Sequence, residues 1–118
     1  INDEYGHNTG DLVLQHFASL ARSCLRETDS IGRLGGEEFA ILLPGTGLEG
    51  AVQLAERLRH LLELTPTETA DGLIPMTLSI GVTTLHANDT GSSELLSRAD
   101  AALYQAKSGG RNRIEVRN

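Results

Sequence analysis

Apolar residues recur with two different periods along this chain of 118 residues, and the alternation of these periods predicts a mixed α/β fold. A period near 3.6 residues predicts helices over 10–25, 48–64 and 93–107, of which the second has the clearest apolar stripe. Strict alternation of apolar and polar residues over 76–83 predicts a half-buried strand. Residues 114–116 are predicted to form a short final strand.

A β-hairpin is predicted over residues 31–43, because two short apolar runs flank Gly35 and Gly36. A pair of glycines accepts the positive φ angles that a two-residue hairpin turn requires. Residues 3–10 and 65–75 are rich in polar and turn-forming residues and are predicted to be loops. The order helix, hairpin, helix, strand, helix, strand predicts an α/β (α+β) sandwich with a mixed, largely antiparallel central sheet flanked by helices.

The composition limits the classes of function. Apolar residues make up 39% and charged residues 22%, which is typical of a globular chain, and the length suits one domain. The net charge of −6 argues against binding to nucleic acid, since phosphate-backbone contacts need clustered Lys and Arg. The single Cys24 permits no internal disulfide and fits a reduced, cytoplasmic compartment. The four His residues are too scattered to predict a zinc site, and no apolar run predicts contact with a membrane.

Two adjacent carboxylates, Glu37 and Glu38, directly follow the glycine turn. Hard cations such as Mg²⁺ bind oxygen ligands, commonly one or two carboxylates together with substrate phosphates. Successive strand residues point to opposite faces, so both carboxylates reach one metal only where the turn twists the backbone. The composition of the hairpin alone favours the simpler interpretation, a solvated hairpin tip with two exposed acids.

The residues around this turn favour the metal-binding interpretation instead. The string Gly-Gly-Glu-Glu-Phe over 35–39 resembles the signature of the GGDEF family of diguanylate cyclases in its Glu variant. Four further family strings occur in the family's order and together span nearly the whole chain. They are NDxYGHxxGD from Asn2, SIGV from Ser79, RADxALYxAK from Arg98 and GRN from Gly110. Five ordered strings are far more specific than any one of them.

The resemblance implies a fold like that of nucleotide cyclases and polymerase palm domains, and a nucleotidyltransferase activity. The family condenses two GTP molecules into cyclic di-GMP. The 3′-hydroxyl of one nucleotide attacks the α-phosphorus of the other, and pyrophosphate leaves. Each domain binds one GTP, so the resemblance implies a homodimer for catalysis, with Mg²⁺ as the cofactor and Mn²⁺ as an alternative.

The resemblance assigns the catalytic and metal-binding roles to Glu37 and Glu38, with Glu37 most directly on the metals. Two Mg²⁺ ions would clamp the attacking and leaving oxygens of an in-line displacement. Glu37 is also the candidate base for the attacking hydroxyl. Gly35 and Gly36 would let the triphosphate approach the backbone, since neither carries a Cβ.

Four further residues match the family's substrate contacts. Asn2 and Asp11 match the pair that binds guanine, whose two N–H donors a carboxylate accepts together. Lys107 and Arg111 match the cations that hold the terminal phosphates. Without the motif, Asp11 and Lys107 would be favourable charges at helix ends and Arg111 a solvated loop residue.

The tetrapeptide from Arg26 to Asp29 resembles the family's RxxD inhibitory site, where cyclic di-GMP binds away from the catalytic centre. Arg offers a bidentate fork for guanine O6 and N7, and Arg57 matches the secondary arginine of that site. An RxxD tetrapeptide alone is common. Its spacing from the hairpin is what favours product inhibition here.

The family normally has a strand and a metal-binding aspartate upstream of the position of Ile1. We therefore expect residues 1–118 to form one GGDEF domain that is incomplete at its N-terminus and belongs to a longer protein. The alternative is a fragment that folds differently or recruits an edge strand from a partner. A sensor or receiver domain is expected upstream, the full protein is compatible with a membrane anchor, and the 118 residues alone are expected to be weakly active or inactive.

Three other functions compete with the cyclase. The first is a catalytically silent module that binds cyclic di-GMP as a regulatory ligand, against which the full set of catalytic matches argues. The second is a purely structural or dimerisation domain, which would show no nucleotide-dependent change in melting temperature. The third is a cyclase that makes another nucleotide product.

Overall fold

The structure is a computed structural model, and it describes residues 7–35 and 38–117. Its helices are α1 (His7–Cys24), α2 (Leu48–Leu64) and α3 (Ser92–Ser108). Its strands are β1 (Ser30–Gly35), β2 (Glu38–Leu42), β3 (Thr67–Thr69), β4 (Gly72–Ile74), β5 (Ile80–Val82) and β6 (Ile114–Val116). None of the helices in these ranges combines the length and the apolar character that a membrane span requires.

Hydrogen bonds join the strands in pairs. β1 and β2 form an antiparallel hairpin that runs from Ser30↔Leu42 to Gly35↔Glu38, with a register shift between Arg33 and Gly35. β3 and β4 are antiparallel, whereas β5 and β6 are parallel. The predicted mixed and mostly antiparallel pairing is confirmed, although the strands of the described residues form three separate two-stranded sheets in place of one central sheet.

The chain divides into two compact units. The first comprises residues 1–45 and 61–76, which carry α1, the strands β1 to β4 and the last residues of α2. The second comprises residues 46–60 and 77–118, which carry most of α2 together with β5, α3 and β6. Each predicted site residue within the described ranges therefore belongs to one of these units.

The apolar face of α1 organises the first unit. Val13 and Ala21 are completely buried and Phe17 is nearly so, which agrees with the predicted stripe. Phe17 packs against Phe39 of β2 with ring centroids 4.9 Å apart and a tilt of 58°, a favourable arrangement for two aromatic rings. The helix begins at His7, earlier than predicted, because polar residues are favoured at helix starts as well as in turns.

Residues 65–75 contain a second hairpin, so the prediction of a loop is wrong there. Thr69 pairs with Gly72, whose φ of 101° glycine adopts without steric strain. The Thr69 hydroxyl donates to the Gly72 carbonyl oxygen at 2.9 Å and accepts from the Asp71 N–H at 3.1 Å. Each strand has only three residues, which is too short for an alternating pattern to be recognised.

Close packing of α3 on β5 organises the second unit. Ala102 and Ala106 are completely buried on the inner face of α3. Gly81 in the middle of β5 lies against the backbone of α3, where a Cβ would collide with Ala99 and Leu103 and approach the carbonyl carbon of Ala102 to 3.0 Å. The missing side chain of Gly81 is therefore what lets the helix approach the strand.

Two sequence predictions for this unit need correction. The strand predicted over 76–83 is shorter, since only β5 within that range is paired. The 3.6-residue period over 93–107 places Leu96 on the inner face of α3, but Leu96 is exposed, whereas Ala102 is buried. The small Ala side chains allow the close approach at Gly81, so the buried stripe of α3 follows Ala and not Leu.

The loop between β5 and α3 is held by Arg98 of α3. The Arg98 guanidinium donates to both carboxylate oxygens of Asp89, at 2.7 and 2.6 Å, and to the Thr84 carbonyl oxygen at 2.7 Å. The side chain of Asp89 is only 4% exposed. The hydrogen bonds from Arg98 hold the pKa of the Asp89 carboxyl well below its usual range.

Replacing Gly81 by Ala should destabilise the second unit, because its new Cβ has no room against α3. Overpacking of this kind typically costs about 1–3 kcal/mol, and a collision with backbone atoms favours the upper end. Gly32→Ala is the matched control, since Gly32 also lies within a strand and an added Cβ there would meet open space. Urea unfolding of both variants tests this, and equal free energies of unfolding would contradict the proposed packing role.

Candidate functional site

The β1–β2 hairpin presents the residues of the Gly-Gly-Glu-Glu-Phe string. Gly35 pairs with Glu38, has a φ of 153° and would carry a Cβ into open space. Glu38 is exposed at the first residue of β2. Gly36 and Glu37, predicted as a phosphate-approach glycine and as the main metal ligand, lie outside the described residues. The predicted hairpin is confirmed, and the space beside Gly35 is open.

A cavity of about 540 Å³ lies between α1 and this hairpin, within the first unit. Asp11 lines it from α1, and Arg33 and Phe39 line it from the hairpin. Its other lining residues are Leu14, Gln15, Ala18, Arg22, Ile31 and Gly32. The lining therefore combines charged groups from Asp11, Arg22 and Arg33 with apolar side chains.

The position of Asp11 also tests the alternative explanation that its charge simply favours the N-terminus of the helix. Asp11 is exposed and lies beyond the first turn of α1, which contains no acidic residue. A favourable charge at the helix N-terminus acts only within the first turn, so that explanation does not account for Asp11. Asn2, its predicted partner for guanine, lies outside the described residues.

Arg26 and Asp29 close a turn between α1 and β1. The Asp29 carboxylate accepts hydrogen bonds from the Arg26 backbone N–H at 2.9 Å and from its guanidinium at 3.2 and 3.4 Å. The guanidinium also donates to the Pro44 carbonyl oxygen at 2.8 Å. The hydrogen bonds from the side chain and then the backbone of Arg26 lower the pKa of the Asp29 carboxyl. The structure therefore brings the two ends of the RxxD tetrapeptide into direct contact.

This turn borders a second cavity of about 360 Å³. Four charged residues line it: Arg22, Arg26, Glu27 and Asp29. Leu25 and Ile31 complete its lining. Arg22 and Ile31 line both cavities of the first unit, so the two cavities share part of one wall.

The remaining predicted residues lie in the second unit. Arg57 is exposed on α2, as expected for a residue of its polar face. Lys107 lies in the last turn of α3 and is half-buried. Arg111 is exposed in the turn that follows, where its backbone N–H donates to the Ala106 carbonyl oxygen at 2.9 Å. Lys107 and Arg111 therefore belong to the same helix end.

Sequence patterns did not single out Arg59 of α2. Its guanidinium donates to the Asn112 side-chain oxygen at 2.9 Å, and Asn112 directly follows Arg111. Arg59 and Asn112 lie far apart in the sequence, so no local spacing predicts their contact. One signal was available, because Asn is enriched where a non-glycine residue has a positive φ, and Asn112 has a φ of 47°.

Comparison with known proteins identifies a family model described as "Diguanylate cyclase, GGDEF domain", which matches residues 1–113. A curated relative, the diguanylate cyclase DgcP of Pseudomonas aeruginosa, is 46% identical over 116 residues. That match covers 98% of this chain but only 17% of the relative.

Solved structures show the same relationship. The active GGEEF domain of a diguanylate cyclase from Vibrio cholerae superposes with a TM-score of 0.89 at 38% identity, covering 100% of this chain and 74% of that one. The GGDEF domain of DgcB from Caulobacter crescentus, solved in complex with c-di-GMP, superposes with a TM-score of 0.90 at 31% identity. It covers 98% of this chain and 68% of that one. Both neighbours confirm the predicted fold class.

The contact between Arg26 and Asp29 predicts an observable titration. We expect the Asp29 carboxyl to titrate below the ordinary value of about 3.9 for aspartate, and Arg26→Ala to raise its midpoint. Because its pKa is lower in the folded than in the unfolded state, the ionised carboxylate stabilises the fold at pH values above the unfolded-state pKa. This stabilisation is lost as pH falls through the folded-state pKa. NMR observation of the Asp29 side-chain carbon during an acid titration measures the midpoint. An unshifted midpoint that Arg26→Ala leaves unchanged would contradict the contact.

Proposed function

The chain belongs to the GGDEF family, and from this premise we propose that it is the catalytic domain of a diguanylate cyclase that condenses two GTP molecules into cyclic di-GMP. The observation that carries the proposal is the cavity between α1 and the β1–β2 hairpin, which Asp11 lines from the helix and Arg33 and Phe39 line from the hairpin. The proposed guanine acceptor thus borders a space that also contacts the hairpin carrying the Gly-Gly-Glu-Glu-Phe string.

In this proposal, Asp11 and Asn2 select guanine. The N1–H and the exocyclic amine of guanine donate to one carboxylate, and adenine lacks that pair of donors. A site built for hydrogen bonding rejects an analogue that leaves its buried polar groups unpaired. The apolar residues of the cavity, such as Leu14 and Phe39, would contact the faces of the base.

The family resemblance suggests the residues that meet the phosphates. The open space beside Gly35 lets a triphosphate approach the backbone, and Gly36 is proposed to share this role because it also lacks a Cβ. Lys107 and Arg111 would neutralise the terminal phosphates, Arg as a bidentate fork and Lys as a point charge.

A divalent cation, Mg²⁺ or alternatively Mn²⁺, completes the proposed site. Glu38 offers an exposed carboxylate at the hairpin, which fits the oxygen ligands that hard cations prefer, and Glu37 is the adjacent carboxylate. Within residues 7–35 and 38–117, no three His, Cys, Asp or Glu side chains form a metal-binding cluster, and Glu37 is proposed as a ligand on the family resemblance. When bound, the cation would offset the negative charge that develops around the α-phosphate.

The reaction follows from this arrangement. The 3′-oxygen of one GTP forms a bond to the α-phosphorus of a second GTP, and the bond from that phosphorus to the bridging oxygen of pyrophosphate breaks. Glu37 accepts the proton of the attacking hydroxyl. Since each domain holds one GTP, two copies of the chain face each other, and the step occurs once from each side.

We further propose that cyclic di-GMP inhibits the enzyme at the second cavity. The Arg26 guanidinium would bind guanine O6 and N7, and the Asp29 carboxylate would accept guanine N–H donors. The existing contact between Arg26 and Asp29 supports this assignment, because it holds both groups at the border of one cavity. Arg57 is the proposed secondary arginine.

The same contact favours one alternative function, a catalytically silent module that binds cyclic di-GMP as a regulatory ligand. Such a module needs Arg26 and Asp29 but not Glu37. The chain spans 17% of the length of DgcP, and we propose that the rest of the full protein supplies a sensor or receiver domain. The domain itself is proposed to act in the cytoplasm.

Replacing Glu37 by Gln separates the two functions, because Gln keeps the shape of Glu and removes its charge. We expect a loss of cyclic di-GMP formation of about 10²-fold or more, the scale seen when one group that stabilises developing charge is removed. The measurement is the initial rate of product formation by the full-length protein with GTP and Mg²⁺. Glu49→Gln, an exposed glutamate in the first turn of α2, controls for charge removal, and an unchanged rate in Glu37→Gln would rule out the metal role.

Replacing Arg26 by Ala tests product inhibition. Loss of a charged hydrogen bond typically weakens binding by about 1.5–3 kcal/mol, so the half-inhibitory concentration of added cyclic di-GMP should rise roughly tenfold or more. The measurement is the initial rate at several product concentrations, each relative to the same variant without product. Arg117→Ala is the control for loss of one arginine, and an inhibition curve that Arg26→Ala does not shift would exclude the proposed site.

A further inference from the structure

The turn after α3 has an unusual backbone conformation. Gly110, Arg111 and Asn112 have successive φ angles of 123°, 64° and 47°. Glycine adopts such angles without strain, but Arg and Asn do so at a conformational cost that the surroundings must offset. Two consecutive non-glycine residues in the left-handed region therefore require specific contacts to hold them.

Hydrogen bonds within the second unit supply such contacts, among them one from Arg113 Nε to the Arg111 carbonyl oxygen at 3.2 Å. The Asn112 N–H donates to the Ser79 hydroxyl at 3.2 Å, and the Arg111 N–H donates to the Ala106 carbonyl oxygen at 2.9 Å. The side chain of Asn112 accepts from the Arg59 guanidinium at 2.9 Å. The last contact is the one that links the turn to α2.

Arg59 is itself held in place. Its side chain is only 16% exposed, unlike a typical surface arginine. The Glu56 carboxylate, one helical turn earlier, accepts from its Nε at 3.1 Å and also from Nη2. With one edge of the guanidinium fixed by Glu56, the remaining nitrogen Nη1 points to Asn112 in a defined direction.

We propose that Arg59 is a positioning residue for nucleotide binding: through Asn112 it fixes the turn that directs Arg111 to the terminal phosphates of the substrate. This inference rests on the proposed function, since it takes from it the role of Arg111. Arg59 itself touches no substrate. Its loss leaves the charge of Arg111 present but allows the turn to relax toward ordinary φ angles, so that the guanidinium is no longer held in one direction.

The inference predicts a selective defect in the full-length protein. Arg59→Gln should raise the KM for GTP roughly tenfold, equivalent to about 1.4 kcal/mol, while kcat changes much less. Binding of GMP, which lacks the terminal phosphates, should be unchanged. Arg59→Lys should be intermediate, because a single ammonium does not reproduce the planar fork that contacts Glu56 and Asn112 together.

A second background isolates the route through Asn112. Asn112→Gly removes the acceptor of Arg59 but adopts a positive φ without strain. In that background, Arg59→Gln should have little further effect on the KM for GTP. In an Arg111→Gln background it should likewise add little, because the group that it positions is absent. Arg117→Gln is the matched control for loss of a positive charge and should leave the KM for GTP unchanged.

The outcomes distinguish this inference from the function on which it rests. If Arg111→Gln raises the KM for GTP but Arg59→Gln does not, only the positioning role is overturned. An equal loss of GTP and GMP binding in Arg59→Gln, together with a lower melting temperature and an effect fully additive with Arg111→Gln, would make Arg59 merely structural and would also overturn it. If Arg111→Gln leaves the KM for GTP unchanged, the phosphate role in the proposed function fails and the positioning role fails with it.

Discussion

The contact between Phe17 of α1 and Phe39 of β2 is the interaction on which the first unit depends. It joins the helix to the hairpin across a centroid distance of 4.9 Å, and Phe39 also lines the cavity between α1 and the hairpin. Because α1 packs against the hairpin, Asp11 of the helix and Arg33 and Phe39 of the hairpin line one cavity. This packing supplies a space for a ligand within the first unit.

The placement of individual charged side chains matters more for ligand binding in this protein than the overall net charge. The net charge is −6, yet Arg26, proposed to bind guanine, and Arg59, proposed to position the turn that carries Arg111, are each held by specific partners. Arg26 is held by Asp29 and the Pro44 carbonyl oxygen, and Arg59 by Glu56. A held guanidinium loses less conformational freedom when it binds a ligand, since its geometry is already set. This arrangement lets an acidic domain present positive charge where an anionic ligand would need it.

The sequence predicted the long elements well and the short ones poorly. The bounds predicted for α2 agree with the structure because its apolar stripe is long and regular. The β3–β4 hairpin was missed because three-residue strands show no period. The burial of Ala102 in place of Leu96 also escaped prediction, since the close approach at Gly81 is a tertiary effect.

The residues of the candidate site likewise fall into those that the sequence predicted and those that it did not. Family motifs identified Asp11, Arg26 and Asp29 by residue type and spacing, and the structure brings the last two into contact. Arg59 and its contact with Asn112 join residues far apart in sequence, so no local pattern could reveal them. Motifs locate the groups proposed to meet the ligand, whereas the groups that orient them emerge only from packing.

The most direct test of the central claim is the identity of the product. The full-length protein would be incubated with Mg²⁺ and equal concentrations of GTP and ATP, and the nucleotides formed would be identified by mass spectrometry. The account predicts cyclic di-GMP and pyrophosphate, with adenine absent from the cyclic product. A cyclic product that contains adenine, or GTP left unconverted by a folded protein that binds it, would contradict the account.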